Sequence, residues 1–224
     1  QKVFGEGNLA MKGIFITGTD TGVGKTYLTA LLTRTLRGQG IPAIALKPVA
    51  SGDRSDALAL QEAMGGALPI PQINPIHFAA PLAPYAAGML ENRPFPWDLL
   101  RSHWKEMTST HRGPILVEGV GGWRVPLDSN HTVREWACEL RMPVLVVCRA
   151  TLGTLNHSLL TVDSIRQAGL PVPGIVMNFY SAPEDETTRT NPGILEECSK
   201  LPIAKLPAGA TTWEIPDWLR SVLI

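Results

Sequence analysis

The chain has few charges and no excess of either sign: among 224 residues, 20 are Lys or Arg, 20 are Asp or Glu, and charged residues make up 18%. So balanced a surface offers no broad field to nucleic acid or an anionic membrane, and neither is expected as a partner. Cysteine is scarce as well. Cys138, Cys148 and Cys198 are odd in number and lack metal-ligand spacing, which excludes a disulfide scaffold and fits buried small hydrophobes in a reducing, cytoplasmic compartment. The longest charge-free run, 63–90, is long enough to span a membrane. Its five prolines and the polar Gln72, Asn74 and His77 exclude a span and make it a loop-rich segment. No secretory signal precedes the first apolar run; residues 1–10 are polar and Gly-rich, and Met11 reads as a natural start. Residues 1–10 are therefore expected to be an extension or remnant, and 11–224 a single catalytic domain. What the chain does have is 44% hydrophobic residues, ample for one core, which excludes disorder and a coiled coil.

Short aliphatic runs at 13–17, 43–47, 114–118, 143–148, 172–178 and 203–206 alternate with helix-spaced stretches at 24–38, 55–64, 97–110, 132–141, 155–168 and 212–223. Five of the apolar runs begin at or beside a proline that marks the preceding loop. This alternation predicts an α/β fold: one domain with a mostly parallel six-stranded sheet and helices on both faces. The polar, turn-rich stretch 181–193 reads as a mobile surface loop.

The strongest motif is G-T-D-T-G-V-G-K-T at 18–26, directly after the apolar I-F-I-T and before a helix. Phosphate binding needs backbone N–H groups converging at a helix N-terminus; Gly22 and Gly24 let the backbone approach, and Lys25 adds a compact charge. Thr26 would ligate Mg²⁺. Thr19 stands where the strict pattern has Gly, so this is a variant phosphate loop.

In a parallel sheet, ligands lie beyond the C-terminal ends of the strands. Glu118 ends P-I-L-V-E and is followed by Gly119, Val120, Gly121 and Gly122; it reads either as a metal-side acid or as a helix cap. Asp56 sits at a helix start, where capping alone would explain it. Lys47 ends an apolar run and would either meet a ligand or snorkel to solvent. Ser51 follows in a turn. The five histidines share no metal-like or triad spacing, and none is given a chemical role.

The phosphate loop, K-P-V-A-S-G, S-D-A-L-A-L-Q, N-P-I-H-F-A-A-P-L-A-P, V-E-G-V-G-G-W and L-G-T-L-N-H run in order from residue 13 onward. Together they closely resemble the dethiobiotin synthetase family. The resemblance implies an ATP-dependent cyclo-ligase of biotin biosynthesis that converts 7,8-diaminopelargonic acid, CO₂ and ATP into dethiobiotin, ADP and phosphate. It implies Mg²⁺ held by Thr26, Asp56 and Glu118, and a catalytic set of Lys47, Lys25 and Thr19. Nucleotide contacts would come from Thr21, Gly22, Val23, Gly24, Lys25, Thr26, Tyr27, Asp56, Glu118, Gly119, Val120, Gly121 and Asn178, with the turn Pro207, Ala208 and Gly209 closing over the base. Ser51 would bind the carbamate end of the substrate. Gly153, Thr154, Leu155 and Asn156, at a helix N-terminus of a partner subunit in a homodimer, would receive the tail carboxylate. Gly22 stands where some members carry Glu.

Two other classes fit the sequence less well. A nucleotide-switch ATPase of the partitioning or septum-positioning type needs a signature Lys where this chain has Asp20, and Pro216 and a single basic residue, Arg220, make the C-terminal stretch a poor membrane-seeking helix. An amide-forming ligase acting on a cobyrinic-acid-like substrate normally carries a glutaminase domain, for which 224 residues leave no room.

Overall fold

The computed structural model describes residues 12–180, 182 and 185–224. The expectations for 1–10 and for Met11 lie outside the described residues. In chain order, the first half comprises β1 (Gly13–Gly18), α1 (Lys25–Gly38), β2 (Ile44–Leu46), β3 (Val49–Ser51), α2 (Ser55–Ala63), α3 (Ile70–Ile73), β4 (Ile76–Phe78) and α4 (Pro84–Leu90). The second half comprises α5 (Trp97–Thr110), β5 (Ile115–Gly122), α6 (Val133–Leu140), β6 (Val144–Arg149), α7 (Thr154–Gln167), β7 (Ile175–Asn178), α8 (Glu186–Ser199), β8 (Ile203–Leu206) and α9 (Asp217–Leu223).

The main sheet has the order β2-β5-β1-β6-β7-β8, and every pairing in it is parallel. The aliphatic runs build it because a strand covered on both faces must be apolar throughout; Ile14, Phe15, Ile16 and residues 144–148 are fully buried. From β1 the chain crosses to the β2 edge and later returns past β1 to β6, β7 and β8. With right-handed crossovers, this reversal places α1 and α7 on opposite faces and opens a crevice at the C-terminal ends of β1 and its neighbours. No helix among the described residues is long and apolar enough to cross a membrane.

Several expectations change. The 63–90 segment is not merely loop: it holds α3, β4 and α4, and β4 pairs in parallel with β3 in a second, two-stranded sheet. These strands are only three residues long, too short to show a period. The stretch 181–193 is not a loop from Asp185 onward. α8 starts on an Asp185 capping box with Thr188 and buries Thr188, Asn191, Pro192, Leu195 and Ser199 at helical spacing; residues 181, 183 and 184 lie outside the described ones. The last helix begins at Asp217, not 212, because Pro216 is its N-cap. Of the three free cysteines only Cys148 is fully buried, and Cys198 is exposed.

Candidate functional site

The phosphate loop leaves β1 at Gly18, where a side chain has no room: a Cβ there would lie 2.6 Å from Val23 Cγ2 and 3.1 Å from Lys25 Nζ. The loop then turns through Gly22 (φ 70°) and Gly24 (φ 101°), the N-cap of α1, in a left-handed conformation that favours glycine. Among the described residues, the amides of Gly22, Val23 and Gly24 have no protein acceptor. Lys25 is buried and donates from Nζ to the Asp20 carbonyl at 3.0 Å. Burial and the nearby Lys47 charge lower its pKa to about 8, against the opposing pull of Glu118, Asp56 and Asp20.

β5 carries Glu118 to the crevice, in register with Ile16 of β1. Lys47, one residue past β2, does not snorkel: its side chain is 4% exposed, with Nζ 2.6 Å from Glu118 Oε1 and 2.7 Å from Asp56 Oδ2. Thr26 Oγ1 lies 2.7 Å from Glu118 Oε1 and 2.8 Å from Asp56 Oδ1, within reach to donate to either. Burial alone would lower the Lys47 pKa, but Glu118 and Asp56 raise it above the ordinary lysine value. Burial likewise opposes the Asp56 carboxylate, yet Lys47, Thr26 and Lys25 hold its pKa below the usual range. Capping does not explain Asp56; Asp53 serves that end of α2, accepting from the Ser55 amide at 3.0 Å.

The oxygens of Thr26, Asp56 and Glu118 converge as a hard donor set, and Glu118 Oε2 is buried without a hydrogen-bond partner. Among the described residues, no group of three or more His, Cys, Asp or Glu side chains forms a closed metal cage. Two carboxylates and a hydroxyl, with the remaining positions left to water and phosphate, fit Mg²⁺.

Beside this cluster lies a cavity of about 560 Å³ lined by Thr21, Lys47, Ser51, Asp56, Val120 and Gly121, with Pro81, Leu82 and Val125 as apolar wall. Ser51 Oγ donates to the Leu82 carbonyl at 2.5 Å. The Gly119 carbonyl accepts from Lys47 at 3.3 Å, and a Cβ on Gly119 would press on the Phe15 ring at 3.2 Å. Thr19 lines a second cavity with Asp20, Trp123, Leu160 and Thr161; Val125 borders both cavities. Gly153 (φ 90°), buried Thr154, half-buried Leu155 and exposed Asn156 open α7 but do not line the Lys47 cavity.

On the other side of the loop, Asn178 Nδ2 donates to the Val23 carbonyl at 3.0 Å. Tyr27 Oη donates to the Ala210 carbonyl at 2.6 Å, tying the turn of Pro207, Ala208 and Gly209 to α1; Pro207 and Ala208 border a cavity of about 730 Å³ with Phe179, Arg189 and Lys205.

Two residues escaped the sequence reading. Asn74 is buried and donates to the carbonyls of Lys47 (2.8 Å) and Ile76 (2.9 Å), fixing the backbone that carries the lysine. Arg149 ends β6 against the phosphate loop. A charged residue closing an apolar strand was its available signal, the one that marked Glu118 and Lys47.

A family model described as an AAA domain matches residues 12–210. The ATP-dependent dethiobiotin synthetase BioD of Anaeromyxobacter dehalogenans (strain 2CP-C) is 41% identical over 215 residues, 94% of this chain and 93% of that protein. The Aquifex aeolicus (strain VF5) protein of the same name is 41% identical, covering 94% of each chain. That of Bacillus subtilis (strain 168) is 38% identical, covering 86% of this chain and 85% of its own. Among solved structures, the signal recognition particle 54 kDa protein of Aeropyrum pernix K1 in complex with GDP superposes with a TM-score of 0.57 at 12% identity, over 97% of this chain and 47% of that one. The cell division protein FtsY of Thermotoga maritima gives 0.53 at 15% identity, over 95% and 68%. At that identity, the two structures share the fold alone.

Proposed function

The chain belongs to the ATP-dependent dethiobiotin synthetase family, and on that premise we propose that Lys25, Lys47 and the Asp56–Glu118 carboxylate pair carry its ring closure at the cavity beyond β1 and β5. It is a cyclo-ligase: 7,8-diaminopelargonic acid, CO₂ and ATP give dethiobiotin, ADP and phosphate. One substrate amine takes up CO₂ as a carbamate, whose oxygen attacks the γ-phosphate and expels ADP. The second amine then attacks the carbamoyl carbon, closing the cyclic urea and releasing phosphate.

The substrate supplies both nucleophiles, so the protein needs to position and to stabilise charge. Amides 22–24 and Lys25 would cradle the ATP phosphates. Lys47, held over the cavity by Asn74 behind it, would meet the carbamate and the transferred phosphoryl oxygens. Ser51 would exchange its bond to the Leu82 carbonyl for one to the carbamate, and Pro81, Leu82 and Val125 would cover the aliphatic chain. Thr26, Asp56 and Glu118 would hold Mg²⁺, which offsets the negative charge of the phosphates. Thr19 would meet substrate where the two cavities adjoin. Val120 and Gly121 line the same cavity as Ser51. Asn178 and the turn of Pro207, Ala208 and Gly209, pinned by Tyr27, would enclose the nucleoside of ATP.

Gly153, Thr154, Leu155 and Asn156 lie away from their own chain's Lys47 cavity, and Leu152 and Leu160 beside them are 90% and 62% exposed. Both observations support a homodimer in which this helix start serves the partner's site and receives the tail carboxylate. The three free thiols support a reducing, cytoplasmic setting, and residues 1–10 would precede the catalytic domain as an extension. The observation that carries the proposal is Lys47 bridging Asp56 and Glu118 at the floor of the cavity next to the phosphate loop. Phosphate release from ATP that requires the diamine tests it against a nucleotide-switch ATPase.

A further inference from the structure

We propose that Arg149 is a positioning residue for nucleotide binding: together with Asn178 it fastens three successive carbonyls of the phosphate loop, so that three successive amides are turned toward the phosphates. The inference rests on residues 18–26 being the phosphate site.

Arg149 is the last residue of β6 and pairs in register with Asn178, the last residue of β7. Its guanidinium donates from Nη2 to the carbonyls of Thr21 (3.3 Å) and Gly22 (3.2 Å), and from Nε to that of Gly22 (3.3 Å). Asn178 Nδ2 takes the next carbonyl, Val23, at 3.0 Å, while its Oδ1 accepts from the Tyr180 amide at 3.0 Å, which fixes the orientation of the side-chain amide. Carbonyls 21, 22 and 23 are thus tied to the ends of two neighbouring strands.

In a trans peptide, a carbonyl and the N–H that follows it point in opposite directions. Drawing carbonyls 21, 22 and 23 toward Arg149 and Asn178 therefore turns the amides of Gly22, Val23 and Gly24 the other way. Those three amides lack a protein acceptor among the described residues, and they continue into the equally free amides of Lys25, Thr26 and Tyr27 in the first turn of α1. Consecutive free amides just before a helix form an anion-binding nest, and their value depends on orientation being set before the anion arrives. Water alone would leave an exposed Gly-rich loop free to rotate these peptides.

The residue types fit the task. A planar guanidinium reaches two carbonyls at once, which a single ammonium does not do with the same geometry. Gly22 leaves the fork its place: a Cβ there would lie 3.0 Å from Arg149 Nη2, and its φ of 70° already disfavours a side chain. Gly24 matches Asn178 in the same way, since a Cβ on it would fall 2.1 Å from Nδ2. Arg149 itself is exposed, so replacing it opens no hole in the core.

The test compares wild type, Arg149→Met and Arg149→Lys by ADP titration, steady-state kinetics and melting temperature. Met keeps the length and removes the donors; Lys keeps the charge and removes the fork. We expect Arg149→Met to weaken ADP binding and raise KM for ATP by about tenfold, the scale of one charge-assisted hydrogen bond. KM for the diamine and the melting temperature stay at wild-type values, and Arg149→Lys recovers only part of the loss. Undiminished ADP affinity in Arg149→Met overturns the proposal. So does full recovery in Arg149→Lys, which would leave charge alone as the cause, and so does an equal rise in both KM values, which would mark a general disturbance. A wild-type protein that binds no ADP would instead remove the phosphate-site premise.

Discussion

Lys47 Nζ sits 2.6 Å from Glu118 Oε1 in a position where both side chains are all but closed to solvent. Each is the other's counter-charge in the free protein, and Asp56 completes the cluster from the cavity side. A buried pair is held chiefly because breaking it is costly, and a pair at the floor of a cavity is available to a ligand that changes its charge balance.

Replacing Lys47 by Ala leaves Glu118 as a buried carboxylate without its cation. The expected cost is about 3–5 kcal/mol of stability, together with a fall of about 10²–10³ or more in kcat from lost transition-state charge stabilisation. Millimolar Mg²⁺ should restore more of the melting temperature in this variant than it adds to wild type. A variant with unchanged melting temperature and near-wild-type turnover would remove Lys47 from the site.

Asp56→Asn and Glu118→Gln each delete a negative oxygen from the proposed cation site. The Mg²⁺ concentration giving half-maximal rate is expected to rise by about tenfold or more, the scale of losing a charge-assisted contact. Magnesium titrations of initial rate read this directly, and an unchanged midpoint in both variants would show that the metal is held elsewhere.

Asn74→Leu keeps bulk and removes the two hydrogen bonds to the Lys47 and Ile76 carbonyls. Stability should fall by about 1–3 kcal/mol, chiefly for the Lys47 carbonyl left unpaired, since the Ile76 carbonyl keeps its place in the β3–β4 ladder, and kcat should fall while KM for ATP holds, because Lys47 shifts and the phosphate loop does not. Urea denaturation and steady-state kinetics measure the two effects separately.

Partial burial alone would push Asp128 upward, but the Trp97 indole N–H, the amides of Asn130 and His131, and the His131 ring hold its pKa down to about 2. The unfolded chain, with an Asp pKa of about 3.9, binds more protons in the window between the two values, so this carboxylate adds stability as pH rises through it. The contribution is complete above that window and lost as pH falls toward 2. Melting curves between pH 2 and 5 should show wild type losing stability with acid more steeply than Asp128→Asn, the two converging at the acid end.

The main sheet was legible because each of its strands is an apolar run beside a turn signal; Lys47 and Glu118 stood out because each ends such a run, Lys25 through the glycine-rich loop before a helix, and Asp56 only through the family resemblance. α8 was not: its buried face is Thr188, Asn191, Pro192, Leu195 and Ser199, a helical spacing written mostly in polar residues and interrupted by Pro-Gly. β3 and β4 were hidden by their length. Arg149 closes an apolar strand and so carried a local signal of a role, but its partners, like that of Asn74, are backbone carbonyls of residues distant in sequence, 149 on 21 and 22, and 74 on 47. No local pattern records such a partner.

If the Lys47, Asp56 and Glu118 cluster serves an ATP-driven ring closure on a diamine, ATP is consumed only when that diamine is present. The most direct measurement is phosphate release from ATP by the purified protein with Mg²⁺ and bicarbonate, with and without 7,8-diaminopelargonic acid, alongside mass-spectrometric detection of the cyclic urea. Release that depends on the diamine and matches urea formation one for one is the predicted result. Release at the same rate without the diamine, with no cyclic urea formed, would contradict it.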